Sequence, residues 1–206
     1  HDQPVNSVAF HPSGEWLAST SADGSLKLWP LTAGLAASER TLFEAEGNQP
    51  TAPSIDWAGE QIAVGSGAGQ VWVVSVETGS PLELISQFQG GITATAFSHD
   101  GNLVAAAGGI SMSSDAVIQV WNLGSGGSQV LDAGDQKPFT DLEFSPDGRL
   151  ISASLGGLRI WDLTAGTSAL LDPRETFDIE LGPEGRYLYG AGKASADGTR
   201  PDGVIL

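Results

Sequence analysis

The 206-residue sequence has no cysteine, and it has no Lys or Arg between residues 41 and 136. The first absence excludes disulfides, thiolate nucleophiles and metal sites built on cysteine. The second leaves ten Asp and Glu residues unbalanced in that stretch, within a chain whose net charge is −16. Because phosphate groups are bound chiefly through Lys and Arg, we expect no direct binding of nucleic acid there.

Long apolar runs are also missing. The longest, LVAAAGGI from Leu103, is shorter than the roughly 18 residues that a membrane span requires. No signal peptide is visible, and the first residue is His1 rather than Met, so the sequence leaves the compartment open with the cytoplasm slightly favoured. We attribute the acidity to solubility or a salt-rich habitat before a basic partner, since net charge acts first on solubility.

Motifs that carry chemistry are absent or incomplete. GSGAG at Gly65 lacks the third glycine of a dinucleotide loop and leads into a strand pattern rather than a helix. His11 and His99 fall in predicted turns, where a nucleophile and a cleft are lacking. The acidic group Asp132, Asp135 and Asp141 lacks the spacing of a calcium loop and is interpreted as solvated. We therefore predict no catalytic residue, metal or cofactor.

Two sequence units recur along the chain. The first has an apolar residue, a tight turn with Gly and a second apolar stretch, and it occurs as FHPSGEWLAS at Phe10, FSHDGNLVAA at Phe97, FSPDGRLISA at Phe144 and LGPEGRYLYG at Leu181. The second occurs as SADGSLKLWPLTAG from Ser21 and again, 45 residues later, as SGAGQVWVVSVETG from Ser66. Alternation of apolar and polar residues between such turns predicts short strands. No segment has a sustained helical period, so the fold class is all-β.

The spacing and the Trp-Asp at residues 161–162 are typical of propeller blades. In these features the chain resembles the WD-repeat (WD40) β-propeller family over essentially its whole length. The resemblance implies a β-propeller of four-stranded antiparallel blades. We predict approximate blades at 1–44, 45–87, 88–132, 133–172 and, as a partial blade, 173–206.

The resemblance also implies a structural tetrad in the first unit, formed by His1, Ser21, Asp23 and Trp29. In the family pattern the indole donates to the hydroxyl, and the imidazole bridges hydroxyl and carboxylate. Such a buried network makes a fold rigid when every member is satisfied.

The later units keep only parts of this tetrad. The third retains Ser113, Asp115 and Trp121 without a histidine, and the fourth retains Trp161. In the second unit Val74 stands where the family has Trp. Trp72 lies two positions earlier, and we expect its loss to cost less than the loss of Trp29 if its ring is partly exposed.

The final residues, PDGVIL, match the turn and third strand of the third unit. We therefore predict four blades plus three strands of a fifth. This arrangement suggests an excerpt from a longer propeller, of seven blades by family resemblance, with six or eight as alternatives. An isolated excerpt would expose an apolar blade face at each end.

The predicted function is that of a non-enzymatic scaffold that binds a protein or peptide, with a basic partner as one option. Two long hairpins, 108–115 and 192–202, lie between second and third strands, and loops on a rigid frame are where binding residues concentrate. Candidate contact residues there are Met112, Ser113, Ser114 and Arg200. Two alternatives remain open, namely a propeller attached to a kinase, peptidase or ATPase domain outside this segment, and a propeller hydrolase.

Overall fold

A computed structural model describes residues 1–31, 39–45, 50–55, 59–84, 88–109, 116–134, 137–182, 185–192 and 204–205. Within these ranges the chain forms five antiparallel sheets whose strands follow one another in chain order. The all-β prediction is confirmed.

Strands β1 to β12 build the first three sheets, with four strands in each. The first contains β1 (Val5–Phe10), β2 (Trp16–Ser21), β3 (Ser25–Pro30) and β4 (Arg40–Glu44). The second contains β5 (Pro50–Ile55), β6 (Gln61–Ser66), β7 (Val71–Ser75) and β8 (Pro81–Leu84). The third contains β9 (Ile92–Phe97), β10 (Leu103–Gly108), β11 (Val117–Asn122) and β12 (Ser128–Asp132).

The remaining strands build the fourth and fifth sheets. The fourth contains β13 (Phe139–Phe144), β14 (Leu150–Ser154), β15 (Gly157–Asp162) and β16 (Thr167–Asp172). The fifth contains β17 (Thr176–Leu181), β18 (Leu188–Gly192) and β19 (Val204–Ile205). Because β19 pairs with β18 through Tyr189 opposite Ile205, the terminal PDGVIL does contribute the predicted third strand.

The recurring first turn has one geometry in the first, third, fourth and fifth sheets. A backbone N–H of its glycine donates to the carbonyl three residues earlier at Gly14, Gly101, Gly148 and Gly185, over 2.8 to 3.0 Å. Each of these glycines has a positive φ between 63° and 83°, a conformation that other residues adopt only with strain. The glycine that closes each copy of the motif is thus explained by its backbone.

Sheets stack face to face, and neighbouring first strands lie side by side: β1 contacts β5, β5 contacts β9, β9 contacts β13, and β13 contacts β17. Buried aliphatic side chains fill each gap between sheets. Ile118 and Val120 of the third sheet, for example, share one cluster with Leu142 and Trp161 of the fourth. Alternate residues of a strand therefore serve the preceding and the following sheet, which explains the period-two pattern.

The outward face of the first sheet differs from its counterparts. Val8 and Phe10 of β1 are 52 % and 69 % exposed, whereas Leu142 and Phe144, which hold the same places in β13, are each 2 % exposed. The two pairs are chemically alike. What differs is that the third sheet packs over β13, while this face of the first sheet is open within the described chain.

Candidate functional site

A hydrogen-bonded network joins two strands of the first sheet, β2 and β3, to residue 1. The hydroxyl of Ser19 on β2 accepts the indole N–H of Trp29 over 2.6 Å and also meets Nε2 of His1 at 2.6 Å. The imidazole Nδ1 lies 3.2 Å from the Asp23 carboxylate and 2.8 Å from the Ser25 hydroxyl. The network therefore runs from indole to hydroxyl to imidazole to carboxylate.

The hydroxyl in this network is Ser19, so the prediction that Ser21 bridges Trp29 and His1 is corrected. Ser21 instead donates to the carbonyl of Gln3 over 3.0 Å and accepts the backbone N–H of Asp23 over 3.1 Å, which caps the turn between β2 and β3. Both serines lie on one face of β2, because side chains two residues apart share a face. Spacing alone could not separate their roles.

Asp23 holds the turn together. Its carboxylate accepts both the backbone N–H and the hydroxyl of Ser25, at 2.9 and 2.5 Å, and the backbone N–H of Asp2 at 2.8 Å. Burial raises the pKa of this carboxyl, but the hydrogen bonds from Ser25, Asp2 and Ser21 outweigh it and lower the pKa to about 2. The side chain is therefore a structural anion near neutral pH.

The Trp–Ser bond recurs in the fourth sheet. Trp161, 1 % exposed, donates its indole N–H to Ser152 over 2.9 Å. Strand pairing places Ser152 at the register of Ser19. Leu17 faces Trp29 and Leu150 faces Trp161, and each serine lies two residues after that leucine. Sequence reasoning missed Ser152, although its register with Trp161 was a usable signal.

In the second and third sheets an aliphatic residue takes the register of the serine. Ala106 and Val64 take the register of Ser19 there, since Val104 faces Trp121 and Ile62 faces Val74. The proposed partners Ser113 and Asp115 of the third unit lie outside the described residues. Trp72 faces Val64 and is only 6 % exposed, so the condition of a partly exposed ring is not met.

One end of the sheet stack gathers the hairpins between second and third strands together with the links between sheets. Ala45, after β4, donates its backbone N–H to Gly24 over 2.8 Å, and Leu155 donates to Pro138 over 3.1 Å. We call the end of the stack that contains Gly24, Ala45, Pro138 and Leu155 the hairpin-and-link end. The candidate contact residues Met112, Ser113, Ser114 and Arg200 lie outside the described residues, in the segments that join β10 to β11 and β18 to β19.

A second candidate region lies along the first strands. A cavity of about 600 Å³ is lined by β1, β9, β13 and β17. Its acidic wall consists of Asp141 and Glu143 on β13 and of Asp178 and Glu180 on β17. The equivalent positions of β9 hold Ala94 and Ala96. Charge is thus concentrated on the last two of these strands.

Hydrogen bonds tie neighbouring first strands across the cavity wall. Thr93 donates its hydroxyl to the carbonyl of Phe139 over 2.9 Å, and Thr140 repeats this contact to Thr176 over 2.7 Å. Asp141 adds a contact by accepting the backbone N–H of Ile179 over 2.9 Å. Asp141 is therefore a link between the fourth and fifth sheets, and its interpretation as a solvated residue was wrong.

The acidic wall carries shifted carboxyl groups. Burial raises the pKa of Asp141, backbone hydrogen bonds from Ile179 and Leu142 lower it, and the carboxyl of Asp178 raises it again, to about 7. Burial, and then the charges of Glu180 and Asp141, raise the pKa of Glu143 to about 8. The wall therefore takes up protons near neutral pH.

Among the residues that the structure describes, no group of three or more His, Asp and Glu side chains is arranged to hold a metal ion. No helix in the described ranges has the length and apolar character needed to cross a membrane.

Comparison with known proteins matches this architecture. The family described as "WD domain, G-beta repeat" matches residues 1–30, 79–122 and 128–162, just over half of the chain. The relatives include periodic tryptophan protein 2 of Saccharomyces cerevisiae, at 28 % identity over 75 % of this chain. Transcription initiation factor TFIID subunit 5 of Caenorhabditis elegans and pre-mRNA-processing factor 19 of rice (Oryza sativa subsp. japonica) are each 28 % identical over 79 % of it.

The matched region is a small part of each relative. It covers 21 % of periodic tryptophan protein 2, 24 % of the TFIID subunit and 31 % of pre-mRNA-processing factor 19. The chain thus spans less than a third of the length of these curated relatives.

Proposed function

Because the chain belongs to the WD-repeat family, we propose that it is a non-enzymatic scaffold whose hairpin-and-link end binds a protein partner. The observation that carries the proposal is the contrast between a rigid frame and its loops. Strands are fixed by buried cores and by bonds such as Trp161 to Ser152, while the hairpins and links meet at one end. Binding residues on proteins concentrate on loops held in this way.

The relatives' names support a role in assemblies. One is named as a subunit of transcription initiation factor TFIID and another as a pre-mRNA-processing factor. We infer the same general role, that of a component which holds other proteins, for this chain. The frame needs no catalytic group for it.

The partner is inferred to be basic. Residues 41–136 contain no Lys or Arg. At the hairpin-and-link end Arg174 is paired with Asp172, through Nη2 to Oδ2 at 2.5 Å, so its charge is already balanced. A negative surface attracts a basic partner over a distance and loses that attraction as salt rises.

The test is affinity capture from the native host at low and at high salt. The chain is compared with a variant whose hairpin 108–115 is shortened to a two-residue turn, and with a control that carries Leu170→Asp on the outer strand of the fourth sheet. We expect partners to be retained by the control, weakened by salt and lost with the shortened hairpin. Retention of every partner by the shortened variant at high salt would contradict both the proposed binding surface and the proposed basic character of the partner.

A further inference from the structure

The outer parts of neighbouring sheets diverge, and the space between them is filled differently from one pair to the next. Between the first and second sheets, Trp72 of β7 packs on Phe43 of β4, with ring centroids 5.2 Å apart. Both rings belong to one apolar cluster with Leu42 and Val74. This space is closed by aromatic side chains.

Between the second and third sheets the corresponding residue is Gln119. Trp72 faces Val64 in its sheet, and Gln119 faces Ala106 at the same register in the next. Gln119 is buried and donates its amide to Ser128 over 3.3 Å. A glutamine held this way against its own sheet cannot fill the space as an indole does.

An open groove of about 360 Å³ results. One wall is β8, and the other is formed by β11, β12 and the turn between them, including Trp121, Leu123 and Ser128. Leu82 of β8 lines the groove and is 58 % exposed, whereas Leu84, two residues on and on the same strand face, is 9 % exposed. An apolar anchor point therefore remains uncovered beside an indole.

The strand next to the groove is also an edge. In the described part of the chain β8 pairs with β7 on one side and ends the second sheet on the other. An edge strand offers unpaired backbone groups to an added strand. Side chains of an added strand would alternate between the two faces of the sheet, one set entering the groove and the other set meeting the opposite face.

The face of β8 opposite the groove carries one carboxylate. Glu83 lies there, beside Trp72, and accepts a hydrogen bond from the side chain of Gln70 over 3.0 Å. The sequence from residue 41 to residue 136 contains no Lys or Arg, and the nearby Arg40 of β4 donates to the backbone carbonyl of Glu77 over 2.6 Å. A complementary strand therefore needs apolar side chains on the groove side and basic side chains on the other.

We propose that the edge of β8 and the adjoining groove bind an extended peptide segment of alternating apolar and basic residues, added as an outer strand of the second sheet. Leu82, Trp121 and Leu123 receive its apolar side chains, and Glu83 receives a basic one. This site is separate from the hairpin-and-link end, so it extends the proposed function without depending on it.

The experiment is a fluorescence anisotropy titration of the 206-residue chain with a labelled peptide, Lys-Leu-Lys-Leu-Lys-Leu-Lys. A peptide of the same composition with its leucines placed together tests the alternation, and one with Glu in place of Lys tests the charge. We expect saturable binding of the alternating basic peptide, weakened about tenfold or more in either comparison peptide, which corresponds to about 1.4 kcal/mol.

Variants locate the site. Leu82→Asp should weaken binding about tenfold through loss of the anchor, and Glu83→Lys should weaken it and reduce its salt dependence. Leu170→Asp, at an outer-strand leucine that is 47 % exposed, is the matched control and should bind as the unchanged chain does. The chain with hairpin 108–115 shortened should also bind normally, which separates this proposal from the proposed function.

Three results would overturn the proposal. They are the absence of saturable binding, equal effects of Leu82→Asp and Leu170→Asp, and conversion of a self-associating chain to a monomer by Leu82→Asp without peptide. The last result would assign the groove to a second copy of the chain. Thermal unfolding of each variant shows that the comparison is made between folded proteins.

Discussion

At the scale of single residues, two tryptophans make the same hydrogen bond. Trp29 and Trp161 each donate to a serine on the neighbouring strand, Ser19 and Ser152. An indole buried between sheets needs such an acceptor because an unpaired buried N–H is costly. In the fourth sheet the bond fixes the ring of Trp161, which packs against side chains of the third sheet.

Ser152→Ala should lower the free energy of unfolding by about 1 to 3 kcal/mol, because it leaves the buried indole N–H of Trp161 without its acceptor. In a Trp161→Phe background the same change should cost much less, since no N–H remains to satisfy. Urea unfolding of the four proteins gives the coupling energy. Additive effects would show that the bond contributes nothing beyond packing.

Trp72→Ala should cost about 3 to 5 kcal/mol, the range for a buried aromatic ring. The loss should match or exceed that of Trp29→Ala, because Trp72 is 6 % exposed and packs on Phe43, whereas Trp29 is half-buried on the open face. Urea unfolding of both variants makes the comparison. A clearly smaller loss for Trp72→Ala would mean that the space between the first two sheets is not closed as described.

At the scale of elements, the first strands of the fourth and fifth sheets bring four carboxyl groups to one wall. Asp141 and Asp178 hold equivalent places in β13 and β17, as do Glu143 and Glu180. The strands lie side by side, so the repeat itself creates the repulsion. Thr140 and Asp141 hold the two sheets together in spite of it.

The stability of the chain should therefore fall as the pH rises through neutrality. The pKa values of Asp141 and Glu143 are raised to about 7 and about 8, so the folded chain binds protons that the unfolded chain has released. The stabilising effect of protonation is complete below the ordinary carboxyl pKa, about 4, and is lost through pH 7 to 8.

Urea unfolding measured from about pH 5 to about pH 9 checks this dependence through its slope. Glu143→Gln should flatten the decline, because the amide cannot ionise. Glu15→Gln, at an exposed turn position, is the control and should leave the slope unchanged. If the free energy of unfolding declines equally in the unchanged chain and in both variants, ionisation of Glu143 is not the cause of the decline.

The strands and their turns could be predicted from sequence because the turn glycines and the alternation are local. PDGVIL could be assigned to a third strand for the same reason. The choice between Ser19 and Ser21 could not, since both have a hydroxyl on one strand face and only the pairing of Leu17 with Trp29 separates them. The groove beside Gln119 depends on packing between sheets, which no local pattern reports.

At the scale of the whole molecule, we expect the open apolar face of the first sheet to cause self-association. Val8 and Phe10 hold places that are buried in the fourth sheet by its neighbour. Exposed apolar patches of this kind promote association. The purified 206-residue chain should therefore self-associate as its concentration rises.

The double change Val8→Ser and Phe10→Ser should reduce this self-association, as measured by sedimentation velocity. Val130→Ser, at an exposed valine on the outer strand of the third sheet, is the control and should have little effect. A chain that is monomeric at every concentration and unfolds sharply would contradict the expectation.

The most direct test of the scaffold is zero-length cross-linking of the chain to a partner obtained by capture, because this chemistry joins carboxylates to the lysines of a basic protein. The account predicts that cross-links concentrate at the hairpin-and-link end, for example at Asp2 and Asp132. Cross-links confined to the opposite end, where Glu15 and Asp162 lie, or no cross-linked partner above background, would contradict it.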